Sequence, residues 1–259
     1  MRADLLLCAR GFTESRSKAQ QLIAAGALYA NGRLVKKAST DLPTDSELSV
    51  VRLSESFVGR GALKLLGALS GFSVDPSGLR CLDIGASTGG FTDLLLRRGA
   101  ASVTAVDCGR GQLAESLRSD PRVTNLEGVN ARYLTTDDVG CDFDLCVMDV
   151  SFISQTYVLP AIVPLLAAHG VILALIKPQF ELDAASVSKG VVRGAALRHR
   201  ALLRVYDALA PLGLAPVSFL RSPIEGGDGN IEYFGCYRRS DDVSAVFDRT
   251  GLRMLAQDK

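Results

Sequence analysis

A strand, a glycine-rich turn and a helix follow one another between Leu79 and Arg98. Residues 79–84 form an apolar run that predicts a buried strand ending at Gly85, and residues 90–98 predict the helix. Turns of this kind let the backbone approach a ligand closely and aim helix N–H groups at it. The spacing Gly-x-Ser-x-Gly-Gly at residues 85–90 differs from the Gly-x-Gly-x-x-Gly fingerprint of dinucleotide-binding folds. The unit therefore predicts an α/β fold with a ligand site at this turn.

The alternation of strand and helix continues along the chain after this unit. Predicted strands lie at residues 102–107, 123–127, 143–148 and 170–176, and predicted helices at residues 112–119, 155–168 and 198–209. Strands that alternate with helices are typical of a doubly wound, Rossmann-like parallel sheet. Two late strands, near residues 215–221 and 231–238, predict an antiparallel hairpin at the sheet edge.

The first 51 residues show a different pattern, which predicts a small α+β domain. The pattern is an apolar helical stripe that begins at Leu5, a helix over residues 18–25, a hairpin at Asn31-Gly32 and a strand at residues 47–51. The sequence therefore divides into a first domain at residues 1–52, a linker at residues 53–59 and a larger domain at residues 60–259.

The formal net charge of +1 conceals an uneven distribution along the chain. Residues 1–40 carry seven bases and two acids, a net charge of +5, which leaves −4 for the remaining residues. A basic region of this kind favours contact with a polyanion such as RNA, and the alternative is a solvated basic face. The best candidates for phosphate contacts are Arg16, Lys18, Arg33, Lys36 and Lys37.

The sequence lacks the signals of a membrane-spanning segment, of a signal peptide and of a metal site. No apolar run approaches the roughly 20 residues that span a bilayer, and the N-terminal apolar run is shorter than that of a signal peptide. We therefore expect a cytoplasmic protein without a membrane partner. The six Cys include no Cys-x-x-Cys pair, and His169 and His199 are far from other ligand-type residues, so no metal site is expected.

Two acids frame the glycine-rich turn and indicate the class of cofactor. Asp107 can hold ribose hydroxyl groups and Asp83 can face a cationic group, whereas an acid at that place would repel a pyrophosphate. The pair favours S-adenosylmethionine over a nicotinamide dinucleotide, and the alternative is an ordinary tight α/β turn. The candidate cofactor-binding residues are Asp83, Gly85, Ala86, Ser87, Thr88, Gly89, Gly90, Phe91, Asp107, Asn130 and Asp149.

Four further charged residues stand beside apolar segments. Asp149 and Lys177 each close an apolar strand, Glu232 lies inside a late apolar strand, and Lys64 lies on a short predicted helix before the first strand of the sheet. Each residue alone is equally well explained by a side chain that reaches water. Together, beside a cofactor turn, they predict an acid–base cluster.

The same residues resemble known families. Lys64, Asp149, Lys177 and Glu232 look like the Lys-Asp-Lys-Glu tetrad of ribose 2′-O-methyltransferases of the FtsJ type. The whole chain resembles the TlyA (hemolysin A) family of ribosomal RNA 2′-O-methyltransferases, and its first domain is similar to the S4-like RNA-binding domain. The strings that carry the resemblance are Ser15-Arg16-Ser17-Lys18-Ala19, Ala30-Asn31-Gly32, Gly59-Arg60-Gly61, Gly85-Ala86-Ser87-Thr88-Gly89-Gly90-Phe91-Thr92, Ser151-Phe152-Ile153-Ser154, Lys177-Pro178-Gln179-Phe180-Glu181 and Gly229-Asn230-Ile231-Glu232-Tyr233-Phe234.

The resemblance implies transfer of a methyl group from S-adenosylmethionine to a ribose 2′-hydroxyl group, that of a cytidine, in ribosomal RNA or a ribosomal subunit. Lys177 would be the base, and Lys64 and Asp149 would orient the hydroxyl group and tune Lys177. Glu232 would orient Lys64 or balance the charges of the two lysines. Within the family, short forms without a basic extension before Asp4 are associated with large-subunit RNA, which is the expected target. The residues expected to contact RNA are Arg2, Arg16, Ser17, Lys18, Arg33, Lys36, Lys37, Arg60, Lys189 and Arg193.

Three other functions each fit part of the sequence. An RNA-binding assembly factor with a vestigial methylase fold would leave Asp83, Asp107 and the four charges without a role. A pore-forming hemolysin, suggested by the family's second name, would need a spanning segment. A small-molecule methyltransferase would leave the basic first domain unexplained.

Overall fold

The computed structural model divides the chain into two compact units, Met1–Ser56 and Phe57–Lys259. It describes residues 1–24, 28–31, 33–35, 37–50, 57–188 and 190–257. Lys36, Lys189, Gly32 and residues 53–56 of the predicted linker lie outside the described residues. In the described part of the chain, no helix is long and apolar enough to cross a membrane.

The first unit packs two helices against a small antiparallel sheet. Its elements are α1 (Ala3–Ala9), α2 (Arg16–Ala24), β1 (Leu28–Ala30), β2 (Arg33–Leu34) and β3 (Leu48–Val50). β1 lies between β2 and β3 and is antiparallel to both. Ala30 pairs with Arg33 across a two-residue turn in which Asn31 has a φ of +48°. The buried side chains of Ile23 and Leu28 join the helices to the sheet, so the predicted order of helix, helix, hairpin and strand is confirmed.

A buried carboxylate joins α1 to α2. Asp4 is fully buried and accepts hydrogen bonds from Arg2 at 3.0 and 3.1 Å, from Arg16 at 2.9 Å and from Gln20 at 3.0 Å. The hydrogen bonds from Arg2 and Gln20 hold the pKa of Asp4 well below its usual range. Two of the predicted RNA contacts, Arg2 and Arg16, are thus anchored by a carboxylate while their side chains stay partly exposed.

A seven-stranded sheet forms the centre of the second unit. Its elements are α3 (Gly61–Phe72), β4 (Arg80–Ile84), α4 (Gly90–Arg97), β5 (Ser102–Asp107), α5 (Glu115–Arg118), β6 (Val123–Glu127), α6 (Thr136–Val139), β7 (Phe143–Met148), α7 (Leu159–Ile162), β8 (Leu166–Ile176), α8 (Pro178–Glu181), α9 (Ala195–Leu209), β9 (Leu214–Arg221), β10 (Tyr233–Arg239) and α10 (Gly251–Leu255).

The strand order of this sheet is β6-β5-β4-β7-β8-β10-β9. Strands β4 to β8 run parallel to their neighbours among themselves, and β10 is antiparallel to both β8 and β9. The order reverses at β4, since β5 and β6 lie on one side and β7 and β8 on the other. Loops that diverge in this way leave a crevice at the carboxyl ends of the strands. The predicted α/β class and the antiparallel edge hairpin are confirmed.

The segment between β7 and β8 differs from its prediction. A single helix is expected over residues 155–168, but the chain forms α7 between two short 3₁₀ turns, and β8 begins at Leu166. Pro160 and Pro164 explain the difference, because proline lacks the N–H group that a continuous helix needs and is tolerated only near the start of a turn. The helix expected over residues 112–119 likewise shortens to α5.

Gly85 follows β4 at a place where a side chain has no room. Its φ is +83°, a left-handed value that favours glycine, and a Cβ atom there would overlap the carbonyl oxygen of Asp149. Gly78 also has a left-handed φ, of +73°, but no atom lies within 4 Å of the position that its Cβ would take. Replacing Gly78 therefore tests the backbone strain alone, whereas replacing Gly85 tests the strain and the steric overlap together.

We expect Gly85→Ala to lower the melting temperature by clearly more than Gly78→Ala. Both substitutions carry the left-handed backbone penalty of about 1–2 kcal/mol, which corresponds to roughly 2–8 °C for a unit of this size. Only Gly85→Ala also forces the loop after β7 away. Calorimetry of the two variants measures the difference, and equal shifts would contradict the close packing of the two loops.

Candidate active site

Asp107 fixes the glycine-rich turn after β4. Its carboxylate accepts hydrogen bonds from the backbone N–H groups of Ser87 at 2.8 Å and Gly109 at 2.7 Å. Ser87 holds a left-handed φ of +49° within the turn. A carboxylate has about four lone-pair sites, so Asp107 can hold these two amides and still accept hydrogen bonds from a ligand.

Glu127, at the end of β6, organises the loop beside Asp107. Its carboxylate accepts hydrogen bonds from the backbone N–H groups of Leu113 at 3.0 Å, Gly111 at 2.8 Å and Gln112 at 2.7 Å. These hydrogen bonds lower the pKa of Glu127 to about 2. Glu127 is not among the predicted site residues, because the sequence does not show which partners an acid at a strand end has.

A cavity of about 330 Å³ opens at the carboxyl ends of the central strands. The predicted cofactor residues that line it are Gly85, Ser87, Asp107, Asn130 and Asp149. The Asn130 side chain also accepts a hydrogen bond from the backbone N–H group of residue 132 at 3.1 Å, so it caps the following turn.

A smaller cavity of about 150 Å³ shares Gly85, Ser87 and Asp149 with the first. The other predicted residues that line it are Ala86, Thr88, Gly90, Phe91 and, from the predicted RNA contacts, Arg60. Gly89 lines neither cavity, and a Cβ atom on it would overlap the Leu117 side chain. Gly89 therefore serves close packing at the start of α4.

Asp83 lies behind the turn and lines neither cavity. It is fully buried, and its Oδ2 atom accepts a hydrogen bond from the Thr92 hydroxyl group of α4 at 2.7 Å. Burial raises the pKa of Asp83 to about 7, against the lowering effect of Thr92, and the negative charges of Asp149 and Asp107 add to the rise. Its Oδ2 atom thus faces α4, and the contact of this carboxyl group with a cofactor stays a prediction.

The four residues of the predicted acid–base cluster form two ion pairs. Lys64 Nζ donates to Glu232 Oε2 at 2.7 Å, and Lys177 Nζ lies 2.5 Å from Asp149 Oδ1. Lys177 also donates to Ser151 Oγ at 2.8 Å. The side chains of both lysines are only 12% and 10% exposed, and that of Glu232 is 2% exposed, so the charges are largely removed from water.

Strand register explains why three of these residues meet. Met148 of β7 pairs with Ala174 of β8, so Asp149 and Lys177 leave neighbouring parallel strands at the same edge. Tyr233 of β10 pairs with Ile176 of β8, which places residue 232 opposite residue 177 just beyond the last paired residues. The charges at the ends of three adjacent strands are thus gathered by the sheet itself.

The two ion pairs also act on each other. Burial raises the pKa of the Glu232 carboxyl group, while the positive charges of Lys64 and Lys177 lower it and the negative charge of Asp149 raises it. With all four groups ionised the cluster has no net charge. The attraction within each pair offsets much of the free energy that is needed to remove the charges from water, whereas nothing would offset it for an isolated buried charge.

Glu181 in α8 holds the loop after β7 from within the protein. Its buried carboxylate accepts hydrogen bonds from the Ser154 hydroxyl group and from the Gln155 backbone N–H group at 3.0 Å. Burial raises the pKa of Glu181, and the two hydrogen bonds oppose the rise. Glu181 and Ser151 are not among the predicted site residues. Both belong to family-like strings, but the sequence does not show that Ser151 contacts Lys177 or that Glu181 contacts Ser154.

The structure describes the side chains of some of the predicted RNA contacts and not of others. Lys37 and Ser17 are exposed, and Lys18 forms an ion pair with Glu14 at 2.5 Å, while Arg193 is exposed in the second unit. Lys36 and Lys189 lie outside the described residues, and the side chain of Arg33 is not described.

Comparisons with known proteins show the family to which the chain belongs. The model of the FtsJ-like methyltransferase family matches residues 57–239, and that of the S4 domain matches residues 1–48. The 16S/23S rRNA (cytidine-2′-O)-methyltransferase TlyA of Mycobacterium tuberculosis is 47% identical over 93% of this chain and 91% of that protein. The chain belongs to the TlyA family of FtsJ-like methyltransferases.

Other members of this family carry the hemolysin name. Hemolysin A of Brachyspira hyodysenteriae is 40% identical over 90% of this chain and 98% of that protein. A solved structure from Streptococcus thermophilus, described as a hemolysin, has 34% identity and a TM-score of 0.75 and covers 99% of this chain and 94% of that one.

The residues of the larger cavity fit the family's cofactor, S-adenosylmethionine. Gly85 lines the cavity, and so do the carboxylates of Asp107 and Asp149, which suit ribose hydroxyl groups and a positive charge. A pyrophosphate would meet these two acids instead. Among the residues that the structure describes, no group of three or more side chains is arranged to bind a metal ion.

We expect Asp83→Asn to change how stability depends on pH. The Asp83 carboxyl group has a folded-state pKa of about 7 against an ordinary value of 3.8, so between these values the folded chain holds a proton that the unfolded chain loses. The folded state therefore loses stability as pH rises through this window. Relative to Asp83→Asn, the free energy of unfolding of the natural chain should fall by about 1.4 kcal/mol per pH unit there.

Urea unfolding at a series of pH values measures this difference. Thr92→Val serves as a matched variant, because it removes the hydrogen bond that lowers the pKa of Asp83 and should extend the window to higher pH. Parallel pH curves for the natural chain and Asp83→Asn would contradict the raised pKa.

Proposed function

We propose that the chain transfers a methyl group from S-adenosylmethionine to the 2′-hydroxyl group of a cytidine ribose in ribosomal RNA. The name of the relative from Mycobacterium tuberculosis supports this reaction, and the S4 match supports an RNA partner. The expectation that large-subunit RNA is the target stays a prediction. A ribosomal substrate would also place the protein in the cytoplasm.

The position of Lys177 beside the cofactor cavity carries the proposal. Asp149 and Ser151 line that cavity, and both hold the Lys177 amine. Methyl transfer to a hydroxyl group needs the acceptor oxygen aligned with the methyl carbon and its proton removed. A base held by two cavity-lining residues can accept the hydrogen bond of the hydroxyl group, which helps to orient its oxygen, and can then remove the proton.

Lys177 would act as the general base in its neutral form. A neutral amine has two N–H groups and one lone pair. When Asp149 and Ser151 accept the two N–H groups, the lone pair is left to accept the ribose proton. The ammonium group that forms is then stabilised by Asp149 at 2.5 Å, so proton transfer ends in an ion pair instead of an isolated buried charge.

Lys64 and Glu232 would steer the acceptor hydroxyl group. Lys64 Nζ donates one hydrogen bond to Glu232 and has further N–H groups that can contact the ribose oxygen. Glu232, which is 2% exposed, fixes the direction of the Lys64 side chain. A positive charge near the acceptor oxygen favours the partial negative charge that develops when its proton leaves.

The cofactor would be held by the turn after β4 and the ends of β5 and β7. Asp107 would bind the ribose hydroxyl groups, Asn130 the adenine amine, and Asp149 the positively charged end. S-adenosylmethionine, when bound, supplies a methyl group on a positively charged sulfur that the ribose oxygen can accept. The protein's own contribution is to bind, align and accept a proton.

The first unit would supply phosphate contacts that hold the substrate. We propose residues 1–52 as the RNA-binding domain, residues 53–59 as the linker and residues 60–259 as the methyltransferase domain. Arg2 and Arg16, both anchored on Asp4, present guanidinium groups whose direction is fixed. Pre-set donors lose less conformational entropy when they meet a phosphate than free side chains do.

The reaction is tested with cofactor labelled in its methyl group. Purified protein is incubated with small subunits, large subunits and the naked RNA of each, and the labelled nucleotide is mapped and checked for 2′-O-methylation. We expect label on a cytidine ribose. RNA binding without transfer to any of these substrates would contradict the proposal and favour an assembly factor.

We expect Lys177→Arg to reduce methyl transfer by about 10²- to 10⁴-fold, the usual contribution of a general base. Arginine keeps the positive charge and can still pair with Asp149, but it does not lose a proton in proteins. The affinity for S-adenosylmethionine, measured by calorimetry, should stay unchanged, which separates catalysis from cofactor binding. Retained turnover in Lys177→Arg would refute the assignment of the base.

A further inference from the structure

An open groove of about 720 Å³ adjoins the cofactor cavity in the second unit and shares Phe152 and Ile153 with it. Arg132 and Arg204 line the groove, and the described residues that line it include no acid. The groove is therefore positively charged and suits a polyanion.

Two exposed tyrosine rings flank Arg132: Tyr157 lines the groove, and Tyr133 lies beside it through its contact with Arg132. The guanidinium carbon lies 5.7 Å from the ring centroid of Tyr133 and 5.2 Å from that of Tyr157. The two residues are 69% and 50% exposed, so both rings are accessible to a ligand. Cation–π contacts hold the rings while leaving much of each ring in reach of a ligand.

The backbone that carries these rings is fixed. Asn130 accepts a hydrogen bond from the Arg132 backbone N–H group, and Ser154, which caps the turn of Tyr157, donates to the buried Glu181 carboxylate. Flat rings on fixed turns bind a partner at a low cost in conformational entropy. Base stacking on exposed aromatic rings beside basic residues is a common mode of binding single-stranded RNA.

We propose that this groove binds unpaired RNA nucleotides next to the methylated one, with their bases stacked on Tyr133 and Tyr157 and their phosphates near Arg132 and Arg204. The proposal rests on the proposed function. Phe180 lines the groove, and its ring centroid lies 6.0 Å from Lys177 Nζ. RNA whose ribose reaches Lys177 therefore has the groove beside it.

The test compares two RNA probes on the full chain. One is a cytidine oligoribonucleotide and the other is an abasic oligoribonucleotide of the same length, which keeps the phosphates and lacks the bases. The natural chain should bind the first more tightly. Tyr133→Ala with Tyr157→Ala should remove that preference, by roughly fivefold or more per ring, without changing the salt dependence. Arg204→Gln should weaken both probes and reduce the salt slope by about 1.

Intrinsic fluorescence gives a second readout that a structural role would not change. The chain has six Tyr and no Trp, so a base that stacks on Tyr133 or Tyr157 quenches a measurable signal. The matched control, Tyr133→Phe with Tyr157→Phe, keeps both rings and should keep the preference for bases while losing most of the quenching.

Two outcomes separate this proposal from the proposed function. Methyl transfer to ribosomal RNA with equal binding of the two probes would overturn the groove alone, and would favour a protein surface of the ribosome as its partner. Discrimination between the probes with no methyl transfer to any ribosomal substrate would overturn the proposed function and leave the groove as a base-binding site. Retained preference in the double alanine variant would also overturn the proposal.

Discussion

The contact between Lys177 and Asp149 connects the carboxyl ends of two neighbouring strands, and the rest of the site is arranged around it. A lysine that ends an apolar strand and is 10% exposed needs a partner, because an unpaired charge at that depth would be strongly unfavourable. The parallel pairing of β7 with β8 places Asp149 beside Lys177. Because the sheet already orders both residues, their contact needs no further ordering of the backbone. Glu232 and Lys64 then supply an equal second pair, so the cluster remains neutral.

Carboxylates also hold the loops that surround this cluster. Asp107 binds two backbone N–H groups and Glu127 binds three, and Glu181 binds one more together with a hydroxyl group. Each acid thus replaces the hydrogen bonds that a loop would otherwise seek from water. Loops fixed in this way keep cavity-lining residues in position before a ligand arrives, which is the preorganisation that catalysis requires.

The strands of the second unit could be predicted from sequence because their apolar runs are bounded by polar residues, and β5, β6 and β7 have the predicted bounds. The prediction of a helix over residues 155–168 was wrong because it gave too little weight to Pro160 and Pro164. The direction of Asp83 could not be predicted, since a strand-end acid can point to either face of the sheet. Ser151 and Glu127 could not be recognised either, because their partners lie 26 and 14–16 residues away in sequence.

Glu181 relates the acid–base cluster to the neighbouring groove. It ends the short helix that begins next to Lys177, its side chain fixes Ser154 and Gln155, and its backbone carbonyl accepts a hydrogen bond from Arg204 at 2.8 Å. One residue thus contacts the segment that carries the proposed base, the turn that carries Tyr157 and a cation of the groove. A shift of Glu181 would move all three together, so this buried residue fixes the position of the proposed base relative to Tyr157 and Arg204.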